Sequence, residues 1–248
     1  MPRPEPRLLT VMESRRLTPN MHRVTIGGTG MEGFPTEQDG GYVKLMIEDE
    51  HGRRVRTYTI RHHHTDRLDI DFALHGEDAE SGPATRWAVT AAVGDTIHVG
   101  GPGAAKPLPD TAGPFLIAGD MTALPAIAVN LERARRDATG TAFIAIRDEA
   151  DRQRIAAPDG VTIHWLVDPK LGEHPAMLID AVRGAPFPDD LSYAWAACEF
   201  ESMKGLRDYL RKERGLGPDR LYLSSYWKRG LIEDEHKTVK RSDTEANG

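Results

Sequence analysis

The chain has 248 residues, 39% of them hydrophobic and 28% charged, and a net charge of −6. This is the composition of a soluble globular protein with one large domain or two modest ones, and its acidity argues against binding to nucleic acid. A single cysteine excludes an intramolecular disulfide framework. The sequence has no apolar run of the ~20 residues that a membrane span needs, and its N-terminus lacks the apolar core of a signal peptide. We therefore predict a cytoplasmic protein with no membrane span.

The first hundred residues have strand character. Six short segments alternate or run apolar between Gly, Asp and Pro residues: RLLTVMES, MHRVTIGG, GYVKLMI, RVRTYTIR, RLDIDFALH and GDTIHVGG. Six strands at this spacing predict an antiparallel barrel. The segment SGPATRWAVTAA at 81–92 breaks the pattern, since Pro83 suits a first helical turn and Trp87 adds an apolar side chain. We predict a short helix between the fifth and sixth strands.

Beyond a boundary near 106–114, strands and helices alternate. The predicted strands are PFLIAGD, TAFIAIRDE, VTIHWLV, YAWAA and RLYLSSYW, and the predicted helices are TALPAIAVNLERARR, AMLIDAVRG and EFESMKGLRDYLRKERG. This alternation predicts a parallel, Rossmann-like sheet that binds ligands at its strand carboxyl ends. We therefore expect a β + α/β chain, with a barrel domain at 1–107, an α/β domain at 108–236 and a flexible polar tail at 237–248.

The strand segment RVRTYTIR at 54–61 carries an unusual triplet. In an extended strand Arg56 and Tyr58 share one face, while Thr57 and Thr59 share the other. A cation beside an aromatic ring is common as a cross-strand surface pair, and it also suits a flat, phosphorylated cofactor. The residues alone leave both interpretations open.

Five blocks of the chain together resemble one protein family. RTYT at 56–59 resembles the Arg-x-Tyr-Ser/Thr flavin motif of the ferredoxin-reductase superfamily. Four further blocks are similar to segments of the siderophore-interacting proteins, also called ferric-siderophore reductases: DFALHG at 71–76, GPATRWA at 82–88, GDMTALPAI at 119–127 and YWKRGLIEDEHK at 226–237. The blocks occur in the family's order and span about residues 7 to 237. The resemblance implies a flavin-binding barrel followed by a Rossmann-like nucleotide domain.

The resemblance assigns an FAD site to the barrel. Arg56 would meet phosphate, Tyr58 would pack against the isoalloxazine, and Thr59 would approach its reactive nitrogen. The helix N-terminus in GPATRWA would bind the pyrophosphate through the amides of Ala84 and Thr85 and the Thr85 hydroxyl, where the family more often has serine. The other residues expected at the cofactor are Thr57, Leu74, His75, Gly76 and Trp87. A place in the core explains His75 and Trp87 equally well.

GDMTALP resembles the pyridine-nucleotide turn Gly-x-x-Thr-Ala-x-Pro, and it predicts Thr122 at a helix N-cap, where NADH or NADPH would dock over the flavin. The family commonly has an acid where Met121 stands, and a glycine where Cys198 stands. Cysteine is expected to tighten nucleotide access, and a nucleophilic role for it is disfavoured because the sequence places no partner histidine. The expected nucleotide-binding residues are Asp120, Thr122, Ala123, Cys198 and Glu199.

An acidic protein needs a local positive patch to receive an anionic chelate. We expect Lys44 and Lys228 or Arg229 to face the chelate, with Trp227 closing the cavity beside the flavin; solvated charges near a terminus are the plain alternative. The three histidines at 62–64 are expected in a solvated loop and not at a metal site, because consecutive side chains point in different directions.

These assignments predict an FAD-dependent oxidoreductase that reduces Fe(III) in a siderophore to Fe(II), with electrons from NADH, NADPH or a reduced ferredoxin. Reduction releases the iron because Fe(II) binds hard oxygen ligands more weakly than Fe(III). FAD would be the redox centre, with no catalytic side chain and no metal site in the protein. A flavin reductase for another acceptor and a ferric-siderophore carrier without turnover are the alternatives. We expect a monomer whose partner is the ferric siderophore.

Overall fold

The structure is a computed structural model that describes residues 5–49, 52–74, 82–231 and 233–247. It divides into two compact units, Met1–Pro107 and Leu108–Gly248. Each unit has its own sheet and its own core, and each is described separately below.

The first unit is a closed antiparallel barrel, which confirms the predicted architecture. Its strands are joined in the order β1-β2-β5-β4-β3-β6. Only the pairs β1–β2, β3–β4 and β4–β5 join strands that are consecutive in the chain, so closure also depends on β2 pairing with β5, β3 with β6 and β1 with β6. The strands are β1 (Arg7–Thr18), β2 (Met21–Gly27), β3 (Tyr42–Asp49), β4 (Gly52–His63), β5 (Arg67–Ala73) and β6 (Thr96–Gly103).

The barrel interior is filled by alternate strand residues, as a period of two requires. Leu9, Leu45, Ile60 and Phe72 are fully buried there. The predicted helix is present as α1 (Pro83–Thr90), with proline in its first turn. Ala84 and Ala88 of α1 are part of the same core, so α1 is held against the barrel by apolar contacts.

The second unit is a five-stranded, fully parallel sheet in the order β11-β10-β7-β8-β9, as predicted for a Rossmann-like domain. The chain runs from β7 outward to β9 and then returns to the other side of β7 at β10, so the order reverses between β7 and β10. Ligands bind parallel sheets at the carboxyl ends of strands beside such a reversal. The strands are β7 (Phe115–Asp120), β8 (Thr139–Ile146), β9 (Gly160–Val167), β10 (Tyr193–Glu199) and β11 (Leu221–Trp227).

The helices of this unit are α2 (Leu124–Arg133), α3 (Pro175–Gly184), α4 (Phe200–Arg207) and α5 (Glu233–Asn247). A π-helical segment, Asp208–Glu213, continues α4. Within the described part of the chain, no helix is both long enough and apolar enough to cross a membrane.

The expectation of a flexible tail at 237–248 is wrong for residues 237–247, which belong to α5. The helix is held by contacts that its polar composition does not reveal. Asp243 forms a nearly buried salt bridge with Arg207 of the α4 end, and the Lys240 amine donates to Ser224 Oγ at 2.8 Å and to the Ser225 carbonyl at 2.7 Å. Val239 packs against the apolar core of the unit. The charged residues of the tail therefore have partners on β11 and α4.

His236 makes the docking of α5 sensitive to pH. Its ring is hydrogen bonded to Ser225 Oγ on β11, and burial together with Lys240, Lys228 and Lys237 lowers its pKa from 6.5 to about 4. The unfolded chain takes up a proton near pH 6.5 while the folded chain does not, so stability falls as the pH drops from 6.5 towards 4. We expect urea denaturation across this range to show a smaller loss for His236→Gln than for the wild type. Equal losses would contradict a buried neutral His236.

Candidate functional site

Strand β4 directs the RTYT motif to both sides of the barrel wall. Arg56 lies opposite Leu45, and Tyr58 lies opposite Val43, on the inner side of the β3–β4 pair. Arg56 is only 8% exposed, and its Nη1 donates to the Val55 carbonyl at 3.0 Å. Arg56 and Tyr58 therefore do not form an exposed cross-strand surface pair, which was the alternative to a cofactor site. Thr57 faces the other side and is exposed, and Thr59 is half-buried.

Three aromatic rings connect β4 to α1. The Tyr58 ring lies 4.3 Å from that of Phe72 on β5, and Phe72 lies 5.7 Å from Trp87 on α1. Leu74, just after β5, is buried in the same core. The structure thus brings the RTYT motif, the end of β5 and α1 to one part of the barrel. His75 and Gly76, also predicted at the cofactor, lie outside the described residues.

The N-terminus of α1 has the properties of an anion site. Its N-cap is Gly82, which offers no side-chain cap, and the first N–H groups of a helix have no intrahelical partner. Ala84 and Thr85 are buried here, and Thr85 Oγ1 has no hydrogen-bond partner among the described residues. An unsatisfied buried hydroxyl costs ~1–3 kcal/mol, a cost that a bound phosphate would remove. These residues therefore fit the pyrophosphate of the predicted FAD.

Asp120, at the end of β7, joins three strand ends in the second unit. Its Oδ1 accepts from the Thr122 amide at 2.9 Å and hydroxyl at 2.6 Å. Its Oδ2 accepts from the Glu199 amide at 2.8 Å and from Trp227 Nε1 at 2.9 Å. Burial raises the pKa of Asp120, and these four donors oppose the rise. The carboxylate thus serves to hold β7, β10 and β11 together.

This network corrects the predicted N-cap. Thr122 does not cap α2, whose N-cap is Ala123 and has no side-chain cap. The Thr122 hydroxyl instead donates to Asp120 Oδ1, and the Ala123 amide donates to the Asp120 carbonyl at 2.9 Å, so the chain forms a tight turn before the helix. Met121, at the position where the resemblance suggests an acid, is fully buried, as is Ala123.

Glu199 ends β10 and caps α4. Its Oε2 accepts from the amides of Glu201 at 2.6 Å and Ser202 at 3.3 Å, and its Oε1 accepts from the Arg229 amide at 3.2 Å. Burial, with Asp120 and Glu199 nearby, raises the pKa of the Cys198 thiol well above its ordinary value. A protonated, buried thiol is a poor nucleophile, in line with the sequence interpretation.

A small cleft, about 20 Å³ in cavity volume, lies at the carboxyl ends of β7 to β10. It is lined by Asp120, Cys198 and Glu199, which the sequence singled out, and by Asp168, His174 and Ser202, which it did not. Asp168 directly follows β9, and Asp120 and Glu199 are the last residues of β7 and β10. An acid at the carboxyl end of a predicted strand, here directly after VTIHWLV, is the signal that would have found it.

The cations predicted to face the chelate differ in their partners. Lys228 Nζ lies 2.7 Å from Glu201 Oε1 and 4.2 Å from the centre of the Phe200 ring, and Arg229 pairs with Glu173. Lys44, opposite Thr57 on the outer side of the barrel, makes no ion pair within the described residues. Lys44 belongs to the first unit and the other two to the second.

The histidines at 62–64 correct another expectation. His62 and His63 are half-buried and end β4, because a bulge after Ile60 lets them pair with Asp69 and Leu68 of β5. His64 Nε2 lies 3.3 Å from Asp69 Oδ2. The segment is therefore a strand end and not the expected solvated loop.

Comparison with known proteins covers both units. The family model "Siderophore-interacting protein" matches residues 112–230, and "Siderophore-interacting FAD-binding domain" matches 10–55 and 48–106. Ferric vibriobactin reductase ViuB of Vibrio cholerae is 34% identical, with 93% of this chain and 92% of that protein covered. The NADPH-dependent ferric-chelate reductase of Escherichia coli is 27% identical, with 89% and 92% covered.

Among solved structures, the siderophore-interacting protein SipS from Aeromonas hydrophila superposes with a TM-score of 0.86 at 29% identity, covering 97% of this chain and 98% of its own. The likeness therefore covers both the barrel and the parallel sheet. Two models of one family match the chain, and the chain is 34% identical to ViuB over 93% of its own length. The chain therefore belongs to the siderophore-interacting protein family, and its barrel is the FAD-binding domain of that family.

Proposed function

We propose that this protein is an oxidoreductase that uses FAD to reduce Fe(III) bound by a siderophore, with a nicotinamide dinucleotide as electron donor. The observation that carries the proposal is the buried, unpaired Thr85 hydroxyl at the uncapped N-terminus of α1, within a domain that matches an FAD-binding family model. ViuB and the E. coli relative are both named as ferric reductases, which supports siderophore-bound Fe(III) as the electron acceptor.

The barrel residues would hold the cofactor by charge and shape. The Arg56 guanidinium would give charge-assisted hydrogen bonds to a phosphate, and Thr85 and the first amides of α1 would add neutral ones. Tyr58, fixed by its contact with Phe72, would form an aromatic shelf, with Thr59 beside it in sequence as a hydrogen-bonding group. Bound FAD supplies a carrier that takes two electrons from a nicotinamide and passes them on singly, as iron requires.

The second unit would receive the nucleotide at the carboxyl ends of its strands, where the cleft opens. Asp120 and Glu199 would act there by fixing the strand ends. Both carboxylates accept three or more internal hydrogen bonds. We infer that reduction releases the iron, because Fe(II) binds hard oxygen ligands more weakly than Fe(III), and that this release takes place in the cytoplasm.

The test is an anaerobic two-step reduction. Purified protein loaded with FAD is mixed with NADH or NADPH, and then with a ferric siderophore and an Fe(II)-trapping dye. We expect nicotinamide to bleach the flavin, and the ferric chelate to restore its colour while the dye reports Fe(II). A protein that takes up no FAD, or a reduced flavin that ferric chelates fail to reoxidise, would refute the proposal. Reoxidation by quinones but not by chelates would identify another acceptor.

Lys44→Ala tests where the chelate binds. Because Lys44 lacks an ion pair among the described residues, its charge is available to an anionic chelate. Loss of one such contact, ~1 kcal/mol in water, should raise the KM for the chelate about fivefold at low salt and less at high salt. Flavin bleaching by nicotinamide should not change.

Lys228→Ala is the matched control, since Glu201 already neutralises Lys228. Its effect on the KM should be smaller than that of Lys44→Ala. If the two variants reverse this order, the chelate binds on the side of Lys228.

A further inference from the structure

A histidine and a serine interrupt the apolar interior of the barrel where it meets α1. His22 lies on the same inward face of β2 as the fully buried Val24, and it is itself only 7% exposed. It pairs with Phe72 of β5, whose ring lies 5.7 Å from that of Trp87 on α1. Ser14 lies opposite Val24 on β1. The two polar side chains therefore occupy positions where the barrel core would otherwise continue.

The pair is hydrogen bonded to the last turn of α1. Ser14 Oγ lies 2.9 Å from His22 Nε2, and it donates to the Ala88 carbonyl at 3.5 Å. A serine hydroxyl has one hydrogen, so its oxygen accepts from His22 and the ring proton lies on Nε2. The last four carbonyls of a helix have no intrahelical partner, and that of Ala88 is one of them. The pair thus ties the end of α1 to β1 and β2.

This arrangement costs the barrel stability. With the ring proton on Nε2, the other nitrogen of His22, Nδ1, is a buried acceptor, and it has no hydrogen-bond partner among the described residues. A buried polar atom left unsatisfied is destabilising, whereas an apolar side chain would extend the core to which Val24 belongs. Local choices that work against the fold are typical of residues that serve a site. The role of the pair therefore lies in what α1 does.

The opposite end of α1 carries the proposed phosphate site, with Thr85 and the uncapped first amides. The helix has eight residues and is therefore only about 12 Å long, so a shift of its last turn moves its first turn as well. Apolar contacts of Ala84, Ala88 and Trp87 hold α1 against the barrel, but such contacts have no preferred direction. The hydrogen bond from Ser14 is directional, so it can fix how the helix is placed.

We propose that His22 and Ser14 are positioning residues for FAD, which set α1 so that its first turn meets the phosphates. His22 orients the Ser14 hydroxyl, and Ser14 holds the helix. This inference rests on the phosphate placement in the proposed function. Binding groups need to be held to within roughly 0.5 Å of their productive geometry by the residues behind them. Loss of either member should therefore weaken FAD binding about two- to tenfold, the factor that corresponds to one hydrogen bond.

The experiment titrates the apoprotein with FAD and with riboflavin, which has the isoalloxazine but no phosphate. Wild-type protein should bind FAD more tightly than riboflavin. His22→Leu and Ser14→Ala should each weaken FAD binding by this factor and leave riboflavin binding unchanged. The double variant should bind FAD no more weakly than the weaker single variant, because the two residues act as one unit.

Two further readouts separate positioning from support of the fold. The His22→Leu apoprotein should be at least as stable to urea as the wild type, because the change removes an unpaired buried nitrogen. His22→Gln keeps a side-chain N–H that can donate to Ser14, so its FAD affinity should stay within about twofold of the wild type.

His98→Leu is the matched control, because His98 is an exposed histidine on the same barrel, opposite Met46 of β3. It should change neither affinity. Wild-type FAD affinity in both His22→Leu and Ser14→Ala would overturn the proposal. Equal losses for FAD and riboflavin would also overturn it, because the pair would then support the barrel as a whole. If His22→Leu does not fold, Ser14→Ala decides alone.

The titrations involve neither nicotinamide nor iron, so their outcome is separate from the test of ferric reduction. Arg56→Ala distinguishes the proposal from the phosphate placement on which it rests. If Arg56→Ala weakens FAD binding while His22→Leu and Ser14→Ala do not, the phosphate placement stands and the positioning role is refuted. If wild-type protein binds riboflavin as tightly as FAD, the phosphate placement is refuted, and the positioning role with it.

Discussion

Arg56→Ala is expected to weaken FAD binding roughly 10- to 150-fold. A charge-assisted hydrogen bond to phosphate contributes ~1.5–3 kcal/mol, and each ~1.4 kcal/mol changes a Kd tenfold. The upper part of this range applies if the contact is shielded from water, and Arg56 is only 8% exposed. Titration of the apoprotein with FAD, followed by quenching of flavin fluorescence, measures the change. An unchanged Kd would place the phosphate elsewhere.

Arg54→Ala is the control for Arg56→Ala. Arg54 lies two residues earlier on β4, is more exposed and lies 3.7 Å from Asp49, so its removal should change the Kd for FAD by less than about twofold. Thr85→Val adds a diagnostic contrast. It should weaken FAD binding by less than Arg56→Ala, yet leave the apoprotein equally or more stable, because it removes an unpaired buried hydroxyl.

The fold could be predicted because its elements have local signals. Alternation and turn residues indicated the six barrel strands, and the change to alternating strands and helices indicated the parallel sheet. The tail was mispredicted because its partners lie elsewhere in the chain. Lys240 contacts Ser224 and Asp243 contacts Arg207, and polar composition gives no sign of either contact.

The barrel site could be predicted better than the strand-end cleft. The alternation in RTYT correctly indicated that Arg56 and Tyr58 share a face, and that face turned out to be the inner one. In the cleft, Asp120 and Glu199 were expected to meet the nucleotide, and this stays a prediction. Their carboxylates meet donors from residues up to 107 positions away, a pairing that no local pattern reveals.

The same network leads us to expect that Asp120→Ala lowers the free energy of unfolding of the second unit by about 3 kcal/mol or more. The change removes the acceptor of four donors, among them the buried Glu199 amide and the half-buried Trp227 indole, and a buried group left unsatisfied costs ~1–3 kcal/mol. Asp120→Asn should cost less, since its carbonyl oxygen still accepts. Trp87 is the only tryptophan of the barrel, and the other three lie in the second unit, so urea denaturation followed by tryptophan fluorescence reports mainly on that unit.

Asp148→Ala is the control for Asp120→Ala, because Asp148 is also an acid after a β-strand but is exposed and caps only a short turn. It should cost no more than about 1 kcal/mol. Combining Asp120→Ala with Trp227→Phe measures the coupling directly, and the double variant should lose less stability than the two single losses added together. A cost for Asp120→Ala equal to that for Asp148→Ala, with additive losses in the double variant, would show that the strand ends are held by apolar packing and not by the carboxylate.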